Sequence, residues 1–329
     1  MFKSFFSARR YLFWAWPGVV LIVSGIAAQV RIDVALNSGI GELFDVMQQS
    51  LSTPGSVELA AFESIVWALT KLVLLYVVLV VALGFYIKHW VFRWRQAMND
   101  YYMSYWSALR TVEGASQRVQ EDTKRFAATF ELIGASVVEA VLTLFAFLPI
   151  LWVISKNVHH IPFFGQVDHA LVYAAVAYAL AGTVILALVG IKLPGLEFDN
   201  QRAEAAYRKE LVYAEDDSQR ASIPVVTQLF SMLKKSYHRL FFHYLYFDAA
   251  KLTYLQFGIV VPFLVLGPTV IAGTLTLGMF AQTIRSFERI QTSFQVLIRN
   301  WASMVELMSV FKRLRAFEAN INALSRPLS

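Results

Sequence analysis

Gly190-Ile191-Lys192-Leu193-Pro194-Gly195-Leu196-Glu197-Phe198 closes an apolar run and opens an acidic one. The run behind it, residues 170–191, has the roughly 20 mainly apolar residues that a helix needs to cross a bilayer. Pro194 lacks an amide donor and clashes with a continuing turn, so a kink or stop is expected at Pro194 and Gly195. Beyond it come Arg202-Ala203-Glu204-Ala205-Ala206-Tyr207-Arg208-Lys209-Glu210 and Tyr213-Ala214-Glu215-Asp216-Asp217. At about 3.6 residues per turn, Glu197, Glu204 and Glu215 share one helix face. Arg208 lies one turn past Glu204 and within reach of an ion pair. A row of acids at the edge of a span points to a proton or cation path. The competing reading is a solvated, salt-bridged helix surface.

Outward from this stretch the same alternation repeats. The 329-residue chain is 57% hydrophobic and 16% charged, against about 25% charged in a soluble domain. The apolar excess falls in long blocks, which makes the chain an all-α polytopic membrane protein. Six spans are expected, at residues 11–30, 64–87, 126–154, 170–191, 240–266 and 275–312. The basic segment Met1–Arg10 before the first run imitates a signal peptide, but no cleavage site follows, so an uncleaved first span is expected. Residues 31–63 carry Asp33, Glu42, Asp45, Glu58 and Glu63 against Arg31 alone, which places them outside. Residues 88–124 carry Arg93, Arg95, Arg110 and Arg118, which places them inside, as Lys312-Arg313-Leu314-Arg315 does for the C-terminus. Both termini are therefore expected in the cytoplasm. The net charge of +6 then reflects topology rather than nucleic-acid binding. Trp94, Met98, Tyr101, Tyr102, Trp106 and Leu109 recur at helical spacing and read as helix-packing positions, not base-stacking ones.

Two further pairings are expected. Asp248 and Lys251, three apart on the fifth span, should form an ion pair. The last helix should run unbroken from about Leu275 to Glu318, with Arg285, Glu288, Arg289 and Arg299 turned to a water-filled cavity or a partner helix, because charges avoid lipid. Nothing in the sequence divides residues 1–329 into separate domains.

Absent motifs narrow the chemistry. With no cysteine there is no disulfide, thiolate metal site or cysteine nucleophile. No Gly-Lys dipeptide occurs, so a nucleotide-binding P-loop cannot be written within this sequence. ATP is then either hydrolysed by a separate subunit or not used. GxSxG and HExxH are missing, and neither His159-His160 nor His238 with His243 has the i,i+4 spacing of a helical metal site. No metal, no cofactor and no enzymatic activity are expected. Glu131 and Glu139 fall inside the third span, where a central carboxylate costs about 2.5–3.5 kcal/mol unless compensated. A carboxyl group that alternates between burial and a cationic neighbour binds and releases a proton, since burial penalises its charge and a cation favours it. Each proton moved inward gains about 2.3 kcal/mol per 100 mV.

Four long stretches carry a resemblance. They are Val91–Met103 (VFRWRQAMNDYYM), Val112–Thr123 (VEGASQRVQEDT), Val189–Phe198 (VGIKLPGLEF) and Tyr207–Asp217 (YRKELVYAEDD). Together with Val305-Glu306-Leu307-Met308-Ser309 and Lys312–Arg315, they resemble the SbmA/BacA peptide-antibiotic uptake family over nearly the whole chain. The resemblance implies the transmembrane fold of ATP-binding-cassette exporters without the cassette, as a domain-swapped homodimer in the bacterial inner membrane. It implies proton-driven import of peptides and peptide-like antibiotics: microcins, proline-rich antimicrobial peptides and bleomycin-like compounds. Its proton-coupling and cavity positions fall on Glu131, Glu204, Glu215 and Tyr213. Glu139 lies off the family pattern and is a candidate from its position alone. The expected substrate cavity also takes Glu197, Arg208, Arg285 and Glu288. Compared with longer members, the chain is expected to lack an extra N-terminal membrane segment. Two readings compete with a proton-coupled importer. One is the membrane subunit of an ATP-driven transporter, since Ala115-Ser116-Gln117-Arg118 resembles the region that meets the cassette. The other is a membrane scaffold or enzyme that moves nothing.

Overall fold

A computed structural model of the chain describes residues 1–112, 114–156, 158, 160–161, 165–166, 168–216 and 222–324. Glu113, His159, Pro162 and Asp217, named above, lie outside the described residues. The fold is helical. In order come α1 (Phe2–Phe6), α2 (Leu12–Ser52), α3 (Leu59–Ser104), α4 (Trp106–Leu109), α5 (Ala115–Gln117), a π-helical turn (Arg118–Asp122) and α6 (Thr123–Ser155). A two-residue antiparallel hairpin, β1 (His160–Ile161) with β2 (Gly165–Gln166), precedes α7 (Ala170–Gly190), α8 (Leu193–Asp216) and α9 (Ile223–Ile271). The chain closes with α10 (Leu277–Phe294), α11 (Val296–Arg299) and α12 (Trp301–Leu324).

Among the described residues five helical stretches are long and apolar enough to cross a membrane: Leu12–Ser52, Leu59–Ser104, Ala115–Ser155, Ala170–Glu215 and Ile223–Ile271. The sixth expected span does not meet that standard. Instead of one helix from Leu275 to Glu318, three segments meet at Gln295 and Asn300. The first of them, α10, has only 18 residues and carries Arg285, Glu288 and Arg289 among its apolar positions. The break near the fourth span also moves. Helix α7 stops at Gly190 and α8 starts at Leu193, ahead of Pro194. Pro194 thus falls in the first turn of α8, where a missing amide donor costs nothing because that amide has no helical acceptor. Helix α2 runs on to Ser52 and absorbs Asp33, Glu42 and Asp45, which the charge count had placed in an external segment.

The described chain forms two compact units: Met1–Val176 with Pro262–Ser329, and Ala177–Val261. The first unit is built on an aromatic core. Trp94, Met98, Tyr102 and Leu109, picked out by their spacing, are all completely buried. Phe5 stacks on Trp94 with ring centroids 5.8 Å apart, and Phe126 meets the same ring edge-on at 5.5 Å. Trp90 donates from Nε1 to the Trp14 carbonyl at 3.0 Å, which ties α3 to the start of α2. An indole buried in this way needs such a partner for its N–H.

Helices α2 and α10 meet along a polar seam. Asp45 and Gln48 of α2 accept the free amides of Gly278 and Leu277, each at 2.7 Å, and Thr276 accepts Met279 N at 3.2 Å. Three amides that would otherwise lack an acceptor at this N-terminus are thereby satisfied. The caps draw the backbones together, so a Cβ at Gly278 would collide with the Gly41 carbonyl oxygen. Backbone cannot yield as a flexible side chain can. Gly278→Val is expected to cost about 1–3 kcal/mol of overpacking, read as a lower Tm of the detergent-purified protein; an unchanged Tm would refute the close approach.

In the second unit, Tyr178 and Tyr254 stack at 4.9 Å, and the Tyr178 hydroxyl donates to the Tyr254 carbonyl. A Cβ at Gly182 would strike the Tyr254 ring, so glycine is what lets that ring lie against α7.

Candidate functional site

The acidic face of α8 meets a row of tyrosines on α9. The Tyr237 hydroxyl donates to Glu204 Oε1 at 2.8 Å, and the Tyr244 hydroxyl donates to Glu197 Oε2 at 3.4 Å. The two contacts lie seven residues apart on both helices and run in opposite directions, so they fix one antiparallel register. Glu204 and Glu197 are both half-buried. The expected Glu204–Arg208 ion pair does not form. Arg208 is exposed, and a phenol across the helix pair takes the carboxylate instead. Asp248 and Lys251 likewise make no ion pair; both are exposed, and a solvated pair gains little from contact. Glu215 is exposed. Tyr213 is 42% exposed, with the Lys209 ammonium 5.4 Å from its ring centroid.

The other sequence candidates belong to the first unit. Glu131 is half-buried on α6 and has no ion-pair partner among the described residues. Glu139, two turns further along α6, is exposed toward a polar cavity of about 60 Å³. Ser136, Thr143, Arg289, Thr292 and Arg299 share its lining. Glu288 is exposed on α10. Arg285 and Arg289 turn to a partner helix, as expected of charges in such a segment. Arg289 grips Asp33 of α2 with Nε at 2.8 Å and Nη2 at 2.9 Å, and Arg285 lies 3.8 Å from the same carboxylate.

Asp33 was missed in the sequence because it was counted with an external acidic segment. A signal was there: Asp33, Asn37, Gly41 and Asp45 recur every four residues, the spacing of one helix face. Asn37 also donates across this seam, to Ser286 Oγ at 3.2 Å.

A second cluster was missed at the start of α6. Asp122 is 1% exposed and accepts from Arg313 Nε at 2.9 Å, Arg313 Nη2 at 2.7 Å and Arg118 Nη1 at 3.0 Å. Hydrogen bonding to Asp122 holds the Arg313 guanidinium above its ordinary range. Arg125 bridges Glu121 at 2.6 Å and Glu306 of α12 at 2.9 Å. Arg118 and Asp122 bracket the π-helical turn and face each other at the i,i+4 spacing of neighbours on one helix face. Among the described residues no group of three or more His, Asp or Glu could hold a metal ion.

Asp122 and Arg313 come from two of the stretches that carry the family resemblance, and comparison with known families covers both. The SbmA/BacA-like family matches residues 8–322. The chain belongs to that family. It is also 23% identical to the inner membrane ABC transporter ATP-binding protein YddA of Escherichia coli K12, over 91% of this chain and 56% of that protein. A Synechocystis protein, sll0182, described as an uncharacterized ABC transporter ATP-binding protein, is 23% identical over 97% of this chain and 48% of its own length. The chain spans about half the length of these curated relatives.

Proposed function

We propose that the chain is the transmembrane part of an importer that carries peptides and peptide-like antibiotics across the bacterial inner membrane on the proton-motive force. Family membership over residues 8–322 is the observation that supports this reading most. The carboxylates fit it. Glu131 sits half-buried in a span with no ion-pair partner among the described residues, and Glu204 is held by a phenol, a partner that tolerates either protonation state of the acid. In this reading Glu131, Glu204, Glu215 and Glu139 take protons from one side and release them to the other. Tyr213, Glu197, Arg208, Arg285 and Glu288 line the path of the solute. No nucleotide is consumed, protons are the coupling ion, and the working form is a homodimer with both termini in the cytoplasm.

Proteoliposomes carrying the purified protein and an imposed inward-directed pH gradient should accumulate a labelled proline-rich peptide, and a protonophore should abolish the accumulation. Accumulation indifferent to the protonophore would remove the coupling.

A second reading has its own support. The relatives that the chain half covers are described as ABC transporter ATP-binding proteins. The chain would then be the membrane part of an ATP-driven transporter. Vanadate-sensitive transport, or a stoichiometric ATPase recovered with the chain, would favour it.

A further inference from the structure

Where α3 meets the π-helical turn and α6, Arg95, Ser116, Gln117, Gln120, Glu121 and Lys124 line a cavity of about 380 Å³. Its polar groups suit an anion. Arg95 donates from Nη2 to the Gln120 carbonyl at 3.1 Å and has no carboxylate partner among the described residues, which leaves further N–H groups of its guanidinium for a ligand. Lys124 is exposed and has neither a hydrogen bond nor an ion pair among the described residues. Glu121, the acid of the lining, is already engaged: Arg125 Nη2 lies 2.6 Å from it, and Gln117 Nε2 donates to it at 3.3 Å.

The cavity stands where α3 leaves the bilayer. Val78, Val81, Phe85, Lys88, Phe92 and Arg95 recur every three or four residues, so they share one face of α3. Val78, Val81, Phe85 and Phe92 are exposed on it. From Val78 to Lys88 that face is about 15 Å long, the hydrocarbon depth of one leaflet. The neighbouring helix gives the same level. Tyr11 donates to Asp100 at 2.6 Å, Trp90 donates to the Trp14 carbonyl at 3.0 Å, and the Arg93 guanidinium lies 4.4 Å from the Trp14 ring centroid. The start of α2 is therefore level with residues 90–100 of α3. There Phe13 is 80% exposed and Trp16 is exposed as well, as in an aromatic belt at a membrane surface.

We propose that this cavity holds the phosphate of an anionic phospholipid, in the leaflet that the charge pattern places inside, with an acyl chain lying along the exposed face of α3. Arg95 and Lys124 take the phosphate oxygens, and the hydroxyl and amides of Ser116, Gln117 and Gln120 are at hand for the headgroup. The lipid fits better than free phosphate. Two cations open to water and salt hold a small anion weakly, whereas a lipid adds apolar contact along the face that ends at Arg95. A bound lipid ties α3 to the π-helical turn, beside the Asp122 cluster. The site does not depend on how transport is driven and stands under either functional reading.

The full chain, purified in a neutral detergent, is offered equal amounts of dioleoylphosphatidylglycerol and dioleoylphosphatidylcholine, and the lipid it retains is read by native mass spectrometry. Phosphatidylglycerol should be retained in preference. Lys124→Gln, at an exposed position on which no described contact depends, should weaken that retention about tenfold, the worth of one charge-assisted hydrogen bond. Arg95→Gln should do the same, and Arg95→Lys, which keeps the charge, should recover most of the loss. Lys88→Gln removes a cation from the same face of α3 but outside the cavity, and should change nothing. Excess inorganic phosphate separates the two sources of one chemistry and should not displace the lipid. Equal retention of the two lipids would overturn the proposal. So would a loss in Lys88→Gln as large as in Lys124→Gln, which is the mark of diffuse surface charge. Displacement by inorganic phosphate, or a second copy of the chain covering this face with no lipid retained, would overturn it as well.

Discussion

Asp122→Ala is expected to destabilise the purified protein by about 3 kcal/mol, the low end of what breaking a buried ion pair costs. The carboxylate is 1% exposed, while Arg118 and Arg313 keep 24% and 36% of their side-chain surface. Water therefore recovers part of what the two guanidinium groups lose, which keeps the cost off the upper end. Asp122→Asn keeps the shape and removes the charge, so it should fall between the two. Thermal unfolding followed by tryptophan fluorescence reads the difference, because Trp94 and Trp90 are buried in the core of the same unit. A Tm for Asp122→Ala within about one degree of the unmodified protein would show that the three hydrogen bonds contribute nothing net. A large loss would identify the joint between the π-helical turn and α12 as a structural clamp. The clamp holds together two of the stretches that mark the family.

The second large effect concerns transport. Glu131→Gln and Glu204→Gln are each expected to lower peptide uptake at least tenfold, roughly the rate cost of 1.4 kcal/mol on the limiting step. Expression and Tm should hardly change. Glutamine keeps the shape and some hydrogen bonding but cannot release a proton. Among the described residues Glu131 has no ion partner to strand, and the partner of Glu204 is a phenol. Tyr237→Phe separates two roles for Glu204. If the hydroxyl tunes the acid, uptake should fall several-fold and its pH profile should move; if Glu204 merely packs there, only the Tm should change. Unchanged uptake in both glutamine variants, measured with a labelled peptide in a strain lacking its own peptide importers, would remove these residues from the coupling path.

The contrast between the two clusters explains what the sequence left hidden. The burial of Trp94, Met98 and Tyr102 was legible because it depends on spacing along one helix. The Glu204–Arg208 pairing was inferred from the same kind of local rule and failed, since Tyr237, on another helix, offers a donor that i,i+4 spacing knows nothing about. Asp33 had a periodic signal and Asp122 a local i,i+4 partner in Arg118, but what joins them to other helices did not show: Arg289 and Arg313 lie 256 and 191 residues away, and no periodicity connects such positions.

By itself, then, the chain's composition and blockwise hydropathy determined a helical membrane protein, and its long unbroken motifs determined the family. These are local or contiguous properties, set by what each segment can bury in lipid or present to water. Only the tertiary structure decided that the last stretch breaks into three helices, that the helix stop precedes Pro194, and which carboxylate meets which cation. A charge inside a packed fold is settled by whatever donor geometry brings within about 3 Å, and that distance is a property of the fold rather than of the order of residues.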